Sequence, residues 1–125
     1  VYGTDYPTND GSCIRDYVHV LDLADAHIKA FSYLEQGGES GSFNLGTGIP
    51  VSVMDIIHCV ENVTGKKVNY EFTARRKGDP AQLIASYAKA EKILGWTPHY
   101  SKTDVIIKSA WEWHSRHPHG FSSNR

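Results

Sequence analysis

The 125-residue chain has two cysteines, one methionine, no excess of basic residues and no long apolar run. Each shortage removes a class of protein. Cys13 and Cys59 stand 46 positions apart, with no second Cys or His pair at ligand spacing, so the sequence describes neither a disulfide framework nor a zinc module, and both are read as reduced thiols. Lys plus Arg number 13 against 14 for Asp plus Glu. No broad basic field is available for nucleic acid or an anionic membrane surface, and any anion must be held by a few placed cations. No run approaches the ~20 apolar residues that span a bilayer, and the amino terminus lacks a signal-peptide pattern. A soluble, cytoplasmic protein is expected. The chain opens on Val1 and its one methionine is Met54, from which a piece of a longer product is expected.

What is present suffices for one domain. Hydrophobic residues make up 40%, with three Trp, seven Tyr and four Phe, a globular rather than disordered composition. Val1 to Gly11 is loop-like, with a turn signal at Asn9-Asp10-Gly11-Ser12. Arg15 to Val20 has the β-branched alternation of a strand. Asp22 is the expected cap of the next helix, with Asp25 as its acidic box partner. Leu23, Ala26, Ala30, Phe31 and Leu34 share one face of that helix, and Gly37-Gly38 stops it. Ser42 to Gly46 reads as a short buried strand. Ser52 caps a second helix with Val53, Ile56, Ile57, Val60 and Val63 inward, ended by Gly65. Val68 to Phe72 reads as a strand leading into Arg75-Arg76-Lys77. Ser86 is the expected cap of a helix closing at Gly95, and Ser101 opens a last helix with Ile106, Ala110 and Trp113 on one face. His114 to Arg125 reads as a polar tail. Alternating strands and helices argue an α/β fold.

Arg15 is a fixed cation on a short, otherwise apolar strand and must either snorkel to water or meet an anion. Arg75-Arg76-Lys77 is equally a solvated loop or a second cationic fork. Together Arg15 and Arg76 are candidates to grip a diphosphate, and Asp79 either pairs with an arginine or accepts from a ribose hydroxyl. Gly46-Thr47-Gly48 lacks the third glycine of a dinucleotide loop, because Val51 stands in its place, so a structural turn is the reading. Tyr87 with Lys89 or Lys92 has spacings of two and five, not the four of a Tyr-x-x-x-Lys dyad. His114, His117 and His119 lack accompanying Cys or a carboxylate set for a metal, and His19 reads as a satisfied core histidine.

Val1-Tyr2-Gly3, Asp5-Tyr6-Pro7-Thr8, Arg15-Asp16-Tyr17-Val18-His19-Val20, Asn44-Leu45-Gly46, Arg75-Arg76-Lys77-Gly78-Asp79, Leu94-Gly95-Trp96 and the Trp111, Trp113 to Gly120-Phe121 ending occur in one order over essentially the whole chain. In this pattern the chain resembles the carboxyl-terminal portion of the UDP-glucose 4-epimerases, within the extended short-chain dehydrogenases. The resemblance implies the carboxyl-terminal part of an NAD(P)-binding Rossmann-type protein, namely a small mixed α/β substrate domain over 1–125, with 22–46 completing an upstream nucleotide-binding sheet. It implies interconversion of UDP-galactose and UDP-glucose through a 4-keto intermediate. NAD and the Tyr-x-x-x-Lys dyad would lie upstream, leaving no catalytic residue here and the chain alone inactive. It further implies that Val1 and Tyr2 lie against uracil, Arg15 and Arg76 bind the diphosphate, and Tyr17 and Asp79 line the nucleotide site. Leu83 stands where sugar size is sensed, and leucine, intermediate in bulk, does not decide specificity there; a preference for UDP-galactose and UDP-glucose, with weak activity on N-acetylhexosamines, is expected, and the complete protein would be a homodimer. The alternatives are a stand-alone UDP-sugar-binding module, or another nucleotide-sugar epimerase or dehydratase.

Overall fold

The computed structural model describes residues 1–121. The elements run β1 (Ile14–Arg15), α1 (Val20–Glu35), β2 (Val51–Ser52), α2 (Val53–Thr64), β3 (Gln82–Leu83), α3 (Ala88–Leu94) and α4 (Thr103–Arg116). The three strands form one sheet in the order β2-β1-β3, with β1 antiparallel to β2 and parallel to β3. Ile14 faces Ser52 and Gln82 across the ladder, and Arg15 faces Val51 and Leu83. The expected mixed α/β class is what forms, with Arg15 on the central strand.

The α2 signals act as read. Ser52 Oγ accepts from the Asp55 amide at 2.9 Å, and the Asp55 carboxylate accepts from the Ser52 amide at 3.1 Å, a reciprocal capping box. Gly65 closes the helix in the left-handed conformation at φ 68°, as Gly95 closes α3 at φ 63°. Ile57 is buried and α2 packs on α4.

Several expected boundaries are corrected. The strand over 15–20 shortens to Ile14–Arg15; at the next residue the amides of Thr47, Gly48 and Ala85 donate to the Asp16 side chain instead of to a backbone ladder. Residues 42–46 and 68–72 are not strands. Both have strand-like composition, but neither finds a partner ladder among the described residues; Tyr70 and Phe72 remain exposed and stack edge to face on each other. His19 rather than Asp22 caps α1, its Nδ1 accepting from the Leu21 amide at 3.0 Å. Asp22 is instead buried and holds the α3–α4 connection. Ser86 does not cap α3: Tyr87 occupies that position and makes no side-chain cap bond. Lys102 takes the cap position of α4, since Ser101 is engaged with Asp22. Phe31 and Leu34 of the expected inward face of α1 are exposed, while Ala26 is buried. His114 to Arg116 belong to α4 rather than a tail, and positions 122–125 of that tail lie outside the described residues.

The core is thin. Ala26 of α1, Ala90 of α3 and Trp96 are buried together, with Val18, Phe43, Leu45, Tyr87 and Leu94 against them. Trp96 is wholly enclosed, and its indole N–H donates to the Asp22 carbonyl at 2.9 Å. Outside it, Val20, Leu21, Ile28, Phe31 and Leu34 form an exposed apolar face on α1. The accessible surface is 8991 Å², against roughly 6,700 Å² expected for a compact protein of this size. The difference, about 2,300 Å², equals a large protein interface.

Candidate functional site

Two loops distant in sequence meet beside β1. Thr73 pairs with the opening residues: its amide donates to the Val1 carbonyl at 2.9 Å and its carbonyl accepts from the Gly3 amide at 2.8 Å. This contact brings the Tyr2 ring under the Arg76 guanidinium, 4.7 Å from ring centroid to the central carbon. The adjacent Arg75 points elsewhere. Its guanidinium lies 4.1 Å from the Tyr6 ring centroid, and its Nε donates to Asp5 Oδ1 at 2.7 Å. The clasp is tight enough that a Cβ on Gly3 would come within 2.5 Å of the Tyr6 ring and 2.8 Å of Arg75 Cγ, and Gly3 itself adopts φ 86°. Of two neighbouring arginines, Arg75 joins the loops and Arg76 faces the site.

Arg15 enters from the sheet. Its Nη1 donates to the Ile14 carbonyl at 2.7 Å and to the Pro80 carbonyl at 3.0 Å, which fixes the guanidinium plane. Its Nη2 is ion-paired with Asp79 Oδ1, while Arg76 Nη2 donates to Asp79 Oδ2 at 3.2 Å. One carboxylate therefore bridges both forks. The Asp79 amide donates to the Arg76 carbonyl at 3.2 Å, and Gly78 between them has φ 84°, the turn geometry that places residues 76 and 79 at its two corners. Leu83 is 61% exposed and lies directly beside Arg15 in the parallel ladder. The structure thus brings together Val1, Tyr2, Arg15, Arg76, Asp79 and Leu83.

Tyr17 borders a different space, a cleft of about 490 Å³ that it shares with Thr47, Ile49, Val51, Asp55 and Cys59. Burial pushes the Tyr17 phenol above its usual range, helped by Cys13 and opposed by the charge of Arg15, so it stays a hydrogen-bond donor at neutral pH. The Cys59 thiol in the same cleft is also raised, by burial and by Asp104. Both cysteines are free.

The residues that organise the site stand inside a turn signal and a motif, but the sequence assigns them no role. Asp16 accepts from the Thr47 amide at 2.9 Å, the Thr47 hydroxyl, the Gly48 amide at 3.2 Å and the Ala85 amide at 3.2 Å. It ties the residue after Arg15 to the segment after Leu83. Gly46 passes so close that a Cβ there would meet Asp16 Oδ2 at 2.4 Å and Ala85 Cβ at 2.7 Å. Asp10 likewise binds the Ser12 amide at 2.8 Å and the Ser52 hydroxyl, joining the first loop to the start of α2. Burial pushes the Asp10 carboxyl up, but the Ser52 and Ser12 bonds outweigh it and hold it below the usual range.

The Thr47 and Gly48 amides are occupied by Asp16, so Gly46-Thr47-Gly48 is a structural turn and offers no cradle for dinucleotide phosphates. His19 is a satisfied core histidine: with Nδ1 accepting, its Nε2 donates to Ser109 Oγ at 2.8 Å. His117 stacks on Trp113 with ring centroids 3.7 Å apart. Among the described residues, no group of three His, Cys, Asp or Glu side chains is placed to hold a metal, and no helix is long and apolar enough to cross a membrane.

A β1 arginine paired with Leu83, and a second arginine meeting it across Asp79, invite comparison with known proteins. The family model described as GDP-mannose 4,6 dehydratase matches residues 1–109. The chain belongs to that family. The UDP-glucose 4-epimerase of Halalkalibacterium halodurans is 52% identical over 123 residues, covering 98% of this chain and 37% of that protein. A crystal structure of a UDP-glucose 4-epimerase superposes with a TM-score of 0.91 at 47% identity, over 98% of this chain and 37% of the other. The UDP-glucose 4-epimerase from Bifidobacterium longum, solved in complex with NAD+ and UDP, superposes with a TM-score of 0.86 at 38% identity, over 97% of this chain and 36% of the other. The resemblance read from the sequence is therefore shown, together with the extended short-chain dehydrogenase fold. The chain spans little more than a third of the length of the curated relatives it matches.

Proposed function

We propose that this chain is the UDP-binding portion of a UDP-glucose 4-epimerase, and that the complete protein interconverts UDP-galactose and UDP-glucose. The observation that carries the reading is the convergence of Arg15 and Arg76, 61 positions apart, on one carboxylate beside exposed Leu83. Two guanidinium forks on one patch suit a diphosphate. On this reading Val1 and Tyr2 receive the uracil, Arg15 and Arg76 the diphosphate, Asp79 a ribose hydroxyl and Leu83 the hexose. Tyr17, which lines a separate cleft, is assigned to the nucleotide site by the family resemblance, and the charge of Arg15 acting on its phenol supports that assignment. Epimerase relatives at about half identity favour this reaction over the dehydration named by the family model.

NAD and the catalytic residues are assigned to the remainder of the protein, an assignment supported by the closure of the Gly46-Thr47-Gly48 turn by Asp16; the chain alone is inactive. The exposed α1 face and the excess surface support docking on that upstream Rossmann-type domain, with 22–46 completing its sheet. The same excess disfavours a stand-alone binding module. A cytoplasmic homodimer, acting on UDP-glucose and UDP-galactose in preference to their N-acetylated forms, completes the proposal.

The test is UDP-galactose conversion by the complete protein and its Arg15→Gln and Arg76→Gln variants. Losing one charge-assisted pair to phosphate removes roughly 1.5–3 kcal/mol, an expected loss of about 10- to 100-fold in UDP affinity. Unchanged UDP affinity in both variants refutes the assignment, and turnover by the 125-residue chain supplied with NAD refutes its inactivity.

A further inference from the structure

We propose that Asp79 is the resident anion of the diphosphate site: it holds Arg15 and Arg76 together when no nucleotide is bound, and the incoming diphosphate displaces it from both forks. The inference rests on the reading of this patch as a diphosphate site. Asp79 engages each arginine with a separate oxygen, Oδ1 toward Arg15 and Oδ2 toward Arg76. Two guanidinium groups brought to one place repel each other, and the carboxylate between them removes that repulsion. The partners differ in freedom. Arg15 is anchored to the Ile14 and Pro80 carbonyls and its side chain is 20% exposed, whereas the Arg76 side chain is 62% exposed, its guanidinium over the Tyr2 ring. Asp79 sits at the corner of the turn through Gly78. A side-chain rotation of Asp79 therefore clears both forks without moving Arg15.

A carboxylate beside a bound diphosphate is a like charge, so it cannot remain between the arginines at no cost. Once displaced, it is available to accept from a ribose hydroxyl, which makes its two roles sequential. Occupation by Asp79 lowers diphosphate affinity and leaves the patch less open to stray anions.

Inorganic pyrophosphate, which has no ribose, isolates the competition. In the complete protein, Asp79→Asn and Asp79→Ala are expected to bind pyrophosphate about tenfold more tightly than the wild type, equivalent to ~1.4 kcal/mol. In the wild type, the Asp79 side-chain carboxyl 13C resonance is expected to shift as pyrophosphate is added. Unchanged or weaker pyrophosphate binding in either folded variant, or a stationary resonance in the wild type, overturns the proposal. Arg15→Gln and Arg76→Gln serve as the control on the site itself: if pyrophosphate affinity ignores both, the diphosphate assignment fails, whereas loss in both without a gain in the Asp79 variants condemns the displacement alone.

Discussion

Asp22 is the residue whose replacement should cost the fold most for its size. Its side chain is wholly buried and accepts from the His99 amide at 2.9 Å, the Tyr100 amide at 2.9 Å and the Ser101 hydroxyl. Its own carbonyl accepts from the Trp96 indole. Asp22→Ala leaves two amides and a hydroxyl without their acceptor. A buried group left unpaired costs roughly 1–3 kcal/mol; since the hydroxyl can rotate toward another acceptor, the two amides dominate and the expected loss is about 3–5 kcal/mol. Asp22→Asn keeps one acceptor oxygen and the volume but turns an N–H2 toward donors, for an expected loss of about 2 kcal/mol. The assay is urea unfolding of the complete protein, followed by tryptophan fluorescence because Trp96 reports on this locus. A loss below ~0.5 kcal/mol in Asp22→Ala, the range of ordinary surface changes, would refute the reasoning, as would Asn and Ala variants of equal stability. The pH dependence supplies a second check. Burial raises the Asp22 carboxyl, but bonds from Ser101, His99 and Tyr100 bring it below its usual value. A group depressed in the folded state contributes stability above its unfolded pKa, near 3.9, and loses it as pH falls through the lower folded value. Acid sensitivity below about pH 4 should therefore diminish in Asp22→Asn.

Gly46→Ala places a Cβ against the Asp16 carboxylate and Ala85; a destabilisation of roughly 1–3 kcal/mol is expected, and wild-type unfolding by urea would show the contact to be loose. Arg75→Lys keeps the charge but loses the planar stack on Tyr6 and the bond from Nε to Asp5. It should weaken UDP binding by up to about tenfold through displacement of the Tyr2–Arg76 pair, with UDP titration calorimetry as the measurement. Ser52→Ala removes the α2 cap and an Asp10 partner. A loss of about 1–2 kcal/mol is expected from the cap alone, measured by thermal or urea unfolding.

The α2 cap and the glycine stops are legible because they are local, whereas the expected caps Asp22, Ser86 and Ser101 are not used as such, Asp22 and Ser101 being drawn into a tertiary bond with each other. Ser52 at the start of α2, with Gly65 and Gly95 at two helix ends, acts through residues within one turn, and the periodic apolar stripe of α2 meets α4 as its spacing requires. Strand signals mislead for the opposite reason. Residues 42–46 and 68–72 have the composition of strands, but pairing is a property of the neighbour, and no neighbour ladder exists among the described residues. Arg15, Arg76, Asp79 and Leu83 stand out in the sequence through their motifs and the positions beside them. Their mutual arrangement does not: sequence leaves Asp79 either with an arginine or with a ribose, and the fold puts it between two arginines.

The residues whose roles the sequence does not disclose share a chemistry. Asp10, Asp16 and Asp22 each gather donors from segments up to 79 positions away, and none of them belongs to a strand. A carboxylate offers about four acceptor positions in a small volume, so it can satisfy several amides where a two-residue strand cannot. This explains how a chain with a thin core and two-residue strands still fixes the placement of Arg15 and the loop opposite: the order is polar and local to the site. The apolar order is deferred to the face of α1, where Val20, Ile28, Phe31 and Leu34 remain exposed. The two kinds of order make different demands. The Arg15–Asp79–Arg76 patch is built from contacts within this chain, whereas a compact body requires burial of about 2,300 Å² more surface than the chain buries alone. Nucleotide grip and global stability should therefore respond to different mutations. A polar substitution on the exposed α1 face, such as Phe31→Ser, should lower the stability of the complete protein while leaving UDP affinity of the folded fraction unchanged, whereas Asp16→Ala should weaken UDP binding beyond what its loss of stability accounts for.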